Sequence, residues 1–92
     1  DTGMHRLGFV AEDLSQLMTE LSKSSSVKVV SVFTHLAAAD EPVHDDFTKD
    51  QLHQFDEFCA HLRKTLDYNF IKHTSNTAAI QRFPDAQYDM VR

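Results

Sequence analysis

A repeated change of period along the chain restricts its fold more than any other feature. Leu14, Leu17, Met18 and Leu21 follow the i, i+3, i+4, i+7 spacing of an amphipathic helix. Residues 27–33 then read as a strand, with valine at 27, 29, 30 and 32. Apolar residues nearly throughout are the mark of a strand buried on both faces, as in parallel sheets. A polar loop with Pro42 follows, and Thr48 and Gln51 have the spacing of a capping box opening the next helix. Behind them Leu52, Phe55, Phe58, Cys59, Leu62 and Leu66 form a second helical stripe. Residues 68–71 suit a short strand. Residues 76–82 suit a short helix stopped by Pro84, because the residue before a proline disfavours α. Residues 88–91 begin another strand. With a strand end inside residues 1–9, the order is strand, helix, strand, helix, strand, short helix, strand. Such alternation implies right-handed βαβ crossovers and a parallel sheet. The expected class is α/β, with four strands and three connecting helices, half of a (β/α)8 barrel. A Gly-rich dinucleotide fingerprint and a Walker loop are both missing, which argues against an open nucleotide-binding sheet.

Ninety-two residues make at most one small domain. The first residues, Asp1-Thr2-Gly3, open inside a motif, and Arg92 follows Val91 with no turn after it, so a piece of a longer protein is expected. The net charge of −5 is spread along the chain, and no run of lysine or arginine offers nucleic acid a basic face. The single cysteine, Cys59, excludes an internal disulfide framework and cysteine-based zinc patterns; among helical apolar positions it reads as a buried thiol. No apolar run approaches the ~18 residues of a membrane span. A reducing cytoplasm fits this cysteine usage.

The residues able to carry chemistry stand at or just after the ends of the apolar stretches. Arg6 lies between Gly3 and Gly8, glycines that suit a close-packed backbone fixing the arginine; the bland alternative is a solvated arginine on a turn. A guanidinium is a permanent cation with a planar fork, suited to a carboxylate or phenolate. His35 follows Thr34 at the end of the valine-rich strand, where an orienting hydrogen bond is a commoner role than that of a base. Asn76 and Thr77 open the short helix, either as caps or as donors to an anion such as phosphate. Arg92 ends the last strand, where a buried arginine needs a partner, and His35 two strands earlier is a candidate. His44, His53 and His61 lie in a loop or on the polar side of a helix, and His5 at an alternating position of the first block. No His-Glu-x-x-His spacing occurs, so no metal site is expected.

Four blocks together carry a resemblance: Gly3-Met4-x-Arg6-Leu7-Gly8, Phe33-Thr34-His35-Leu36-Ala37-x-Ala39-Asp40-Glu41, Asn76-Thr77-Ala78-Ala79 and Met90-Val91-Arg92. In this order and spacing they resemble the successive motifs of alanine racemases, and they cover essentially the whole chain. The resemblance implies the second half of an N-terminal (β/α)8 barrel, with pyridoxal 5'-phosphate as cofactor, alanine as substrate and a homodimer as the working enzyme. D-alanine for peptidoglycan would be its product. Arg6 matches the arginine that contacts the cofactor's phenolic oxygen and the substrate carboxylate. Arg92 matches the arginine facing the pyridine nitrogen, and His35 the histidine that hydrogen-bonds it. Thr77 stands where the family often has a serine on the phosphate, with Asn76 supporting the same turn. The family's cofactor-carrying lysine falls upstream of Asp1 and its catalytic tyrosine in a C-terminal domain; Lys28, Lys49, Lys64 and Lys72 do not match the lysine motif. The isolated chain is therefore expected to be inactive. The rival readings are another fold-type III pyridoxal-phosphate protein, such as a serine racemase or a cofactor-homeostasis protein, and a non-catalytic α/β interaction module.

Overall fold

Helix α2, Asp45–Thr65, organises the structure, a computed structural model that describes residues 1–92. At 21 residues it is about 31 Å long. Asp45 and Asp46 sit in its first turn and Arg63 and Lys64 near its end, each sign matched to the helix dipole. Its buried residues are Thr48, Gln51, Phe55, Cys59 and Leu62, each three or four positions after the last, so they form one stripe on one face.

The expected capping box is corrected here. The helix is under way before Thr48, following a 3-10 turn at Pro42–His44 in which proline takes the first position, where no N–H is needed. Thr48 and Gln51 are therefore interior helical residues. Thr48 Oγ1 donates to the His44 carbonyl at 3.2 Å, one turn back, and Gln51 turns into the protein.

Two strands flank α2 in sequence. β1 is Ser31–Phe33 and β2 is Ile71–His73. They pair in parallel, Ser31 with Ile71, Val32 with Lys72 and Phe33 with His73. A single parallel bridge, His73 with Met90, adds the beginning of a third line of chain in place of the expected strand over 88–91. β2 lies later than the expected 68–71. Tyr68 is occupied otherwise, its hydroxyl accepting the Val29 N–H at 3.0 Å. Lys72 sits in the strand with its ammonium over the Tyr88 ring, 4.3 Å from the centroid, and 3.6 Å from Asp56.

Residues 1–9 form no strand. They curl: Gly3 and Gly8 have φ of +139° and +107°, and Asp1 Oδ1 accepts from the N–H groups of Gly3 and His5. The curl meets β1 through the hydroxyls of Thr2 and Thr34, 2.7 Å apart. Of the two glycines only Gly3 is close-packed: a Cβ there would lie 2.8 Å from Phe47 Cζ.

Helix α1, Leu14–Lys23, and α2 cover one face of the sheet. Phe55, Cys59, Leu62 and Phe70 form the larger core, with Leu14, Met18, Leu21, Val29 and Val32 packed on it. A smaller cluster, Leu36, Ala39 and Ala79, joins the loop after β1 to helix α3, Thr77–Arg82. Arg82 ties the same parts together, donating to the Ala39 carbonyl at 2.5 Å and to Asp45 at 2.7 Å. The opposite face of the sheet has nothing over it. The expected burial of residues 27–33 on both faces is corrected accordingly: Val30 is 68% exposed and Phe33 61%. Apolar composition records that a strand suits two covered faces; only one cover lies within these residues.

Candidate functional site

The sheet register sets the geometry of the site. Phe33, His73 and Met90 stand at one level across the three lines of chain, and the Phe33 and His73 rings stack on the open face, centroids 5.1 Å apart and 9° from parallel. Two residues further on, Ser75 and Arg92 stand side by side. The ladder reaches that far, because the Arg92 N–H donates to the Ser75 carbonyl at 3.0 Å. His35 and Arg92 each stand two residues past the last paired position of their segments, Phe33 and Met90. Both side chains are exposed, and no hydrogen bond joins them.

Arg6 is exposed on the N-terminal curl. It shares with His35 the wall of a cavity of about 630 Å³ between the curl, β1, α1 and α2, lined mostly by apolar side chains such as Leu17, Val32 and Phe58. Asn76, Thr77 and Arg92 lie outside that wall. The fold thus sets Arg6 and His35 on one cavity wall, Arg92 beside Ser75, and Thr77 at the start of α3, just beyond the end of β2.

Asn76 and Thr77 separate cleanly. Asn76 is the N-cap of α3, with extended backbone; its Oδ1 accepts from the Ala79 N–H at 3.0 Å and its Nδ2 donates to the Leu36 carbonyl at 3.2 Å. Its amide is occupied as cap and brace. Thr77, the first helical residue, is exposed and its hydroxyl bonds nothing in the chain. Of the two readings open for this pair, the cap belongs to Asn76, and Thr77 keeps a free donor.

The cations divide in the same way. Lys23, Lys49, Lys72 and Arg82 reach carboxylates, and Lys28 and Arg63 lie over the rings of Tyr68 and Phe70. Arg6, Lys64 and Arg92 do neither. Two of the three cations left over are the arginines of the first and last blocks. Cys59 has the opposite character: burial pushes its thiol up to about 11, so it stays protonated and unreactive at neutral pH. Burial, with the Asp56 carboxylate beside it, also raises the Tyr88 phenol far above its usual range. No three His, Cys, Asp or Glu side chains gather as they would around a metal ion, and no helix is long and apolar enough to cross a membrane.

Two residues at the site escape the sequence reading. His73 lies three residues before the third block and shows its place only through strand register. Gln51 continues the stripe of Phe55, Cys59 and Leu62 one turn toward the helix start. A polar residue on an apolar stripe is the signal that could have found it.

The comparisons agree with one another. The family described as alanine racemase, N-terminal domain, matches residues 1–92. The alanine racemase of Symbiobacterium thermophilum is 40% identical over 92 residues, and that of Carboxydothermus hydrogenoformans 40% over 93; each match covers the whole of this chain and 24% of the relative. Among solved structures, alanine racemase from the D-cycloserine producer Streptomyces lavendulae superposes on the whole chain with a TM-score of 0.90 at 30% identity, and the Corynebacterium glutamicum alanine racemase with 0.87 at 32%. In both, the matched region is 25% of the solved chain. The chain spans about a quarter of the length of the relatives it matches.

Proposed function

The chain belongs to the alanine racemase family, and we propose that it is the part of that family's (β/α)8 barrel that holds pyridoxal 5'-phosphate and alanine in a cytoplasmic, homodimeric racemase making D-alanine for peptidoglycan. One observation carries the reading. Arg6, His35, Thr77 and Arg92 all follow β-segments or loops at one end of the sheet, and all are exposed and unpartnered within the chain. Two permanent cations, a free hydroxyl and the unpaired N–H groups opening α3 are a donor set suited to an anionic, phosphate-bearing group. When bound, pyridoxal 5'-phosphate supplies an electron sink for the carbon from which the proton leaves.

Arg6 would hold the substrate carboxylate and the cofactor's phenolic oxygen through its planar fork. Thr77 donates its hydroxyl to the phosphate, beside the free N–H groups of the α3 start. Asn76 serves that turn indirectly, by fixing it to the Leu36 carbonyl. Arg92 would stand by the pyridine nitrogen, where a guanidinium does not give up its proton near neutral pH. By supplying no proton there, Arg92 would favour return of the proton to the same carbon over side reactions. His35, in the loop after β1, would orient Arg92 once the two side chains meet over the bound cofactor. No lysine of this chain is assigned a proton-moving role; the lysine and tyrosine that exchange protons with substrate belong to other parts of a whole racemase.

The reading is tested in a whole enzyme. This chain replaces the 92 residues it matches in the Symbiobacterium thermophilum racemase, giving a full-length chimera. Arg6→Ala in the chimera is expected to raise the KM for alanine at least tenfold, the value of about one charge-assisted hydrogen bond. An unchanged KM removes Arg6 from the substrate site.

A further inference from the structure

Gln51 has no role in the chemistry above, yet its amide is completely used. The side chain is 0% exposed. Its Oε1 accepts from the Ala37 N–H at 3.0 Å, and its Nε2 donates to the His35 carbonyl at 3.1 Å and to Thr2 Oγ1 at 3.2 Å. The Thr2 hydroxyl, accepting from Gln51, is in turn 2.7 Å from that of Thr34. A primary amide has two hydrogens and an acceptor oxygen, and all are engaged. Turning the amide over would set oxygen against the His35 carbonyl and hydrogen against the Ala37 N–H, so one orientation is enforced.

We propose that Gln51 is a positioning residue for the racemase site: it fixes the chain segment that carries His35 against the curl that carries Arg6. The inference rests on the reading of those two residues given above. Its support is in the connections. One bond from Gln51 is to the backbone of His35 itself. Another is to Thr2, four residues before Arg6, in a segment that belongs to no helix or sheet. Gly3 lets the curl lie directly on α2 beside Gln51, since a Cβ there would stand 2.8 Å from Phe47 Cζ. An apolar residue at 51 would continue the stripe and fill the space. A satisfied buried amide adds little net stability over such a residue. What it adds is a fixed three-way geometry between a helix, a strand end and a loop.

The test uses the full-length chimera and three variants. Gln51→Met keeps the length of the side chain and removes every hydrogen bond. Thr2→Val removes one arm of the bridge and leaves Gln51 in place. Thr48→Val is the control, a buried position on the same stripe that bonds only the His44 carbonyl. The readouts are kcat and KM for alanine, the thermal midpoint, and hydrogen exchange of the Ala37 amide in the cofactor-free protein. Gln51→Met is expected to lower kcat by ten- to a hundredfold, because a shift on the order of 1 Å costs that much. It should also speed Ala37 exchange at least tenfold. Thr2→Val should fall in the same direction with a smaller loss, and it carries the test if Gln51→Met does not fold. Thr48→Val should lower the midpoint without changing kcat or Ala37 exchange. Gln51→Met or Thr2→Val matching Thr48→Val in both readouts overturns the proposal. An inactive chimera counts against the racemase reading instead, and Ala37 exchange still decides whether Gln51 holds the strand end.

Discussion

Asn76 and Thr77 are adjacent, both polar and both at the start of one helix, yet the structure assigns them opposite signatures when truncated. Asn76→Ala removes the cap on Ala79, worth ~1 kcal/mol within a range of ~0.5–2. It also leaves the Leu36 carbonyl without its donor, worth about another 0.5–1.5 kcal/mol. The expected loss of stability is ~1.5–3 kcal/mol. Thr77→Ala removes an exposed hydroxyl that touches nothing in the chain, so its effect on stability should stay within about 0.5 kcal/mol. Affinity should show the reverse bias. A hydrogen bond to a charged phosphate is worth ~1.5–3 kcal/mol, so Thr77→Ala should weaken binding of pyridoxal 5'-phosphate by roughly ten- to a hundredfold. The assay is urea unfolding of the cofactor-free chimera alongside fluorescence titration with the cofactor. A Thr77→Ala variant that loses more than about 1 kcal/mol while binding unchanged would refute the assignment and make Thr77 structural.

Three further outcomes follow from the same geometry. Arg92→Glu should leave the unfolding midpoint of the cofactor-free chimera near its original value, because the side chain is exposed, while slowing racemisation and adding a long-wavelength band to the absorbance of the loaded enzyme; an unaltered rate and spectrum would remove Arg92 from the ring nitrogen. Stability should fall as pH rises from about 9 toward 11, since Cys59 goes from an ordinary 9.0 to about 11 on folding and Tyr88 is raised as well. Both groups hold their protons more tightly when folded, so their contribution is complete below pH 9 and lost above it; Cys59→Ala combined with Tyr88→Phe should flatten the decline measured by urea unfolding. Phe55→Ala should cost ~3–5 kcal/mol in the same assay, as Phe55 is fully buried and set edge-on to Tyr88 at 5.3 Å.

Helical spacing was the most legible part of the fold. Leu14, Met18 and Leu21 do pack on the core, and Phe55, Cys59 and Leu62 do form the buried stripe of α2. The strands were harder to bound. Ser31–Phe33 is shorter than the valine-rich run because Tyr68 takes the Val29 N–H outside the ladder. Lys72 and His73 lie in a strand that their polarity disguises, one setting its ammonium over the Tyr88 ring and the other stacking on Phe33. At the site, residue type pointed to Arg6, His35, Asn76, Thr77 and Arg92, but not to the division of labour between Asn76 and Thr77. That division depends on where the Leu36 carbonyl lies, forty positions away in the chain. Gln51 was misread for a similar reason. Thr-x-x-Gln is a cap only where a helix starts, and this helix starts at Asp45.

The central claim is that these residues form a working part of a racemase, and the most direct measurement is conversion of L-alanine to D-alanine by the chimera with pyridoxal 5'-phosphate. Turnover in both directions is expected, with a raised KM in the Arg6→Ala form and a slower rate in the Arg92→Glu form, and no D-alanine from the isolated 92-residue chain. A folded, cofactor-loaded chimera that leaves L-alanine unchanged would contradict it.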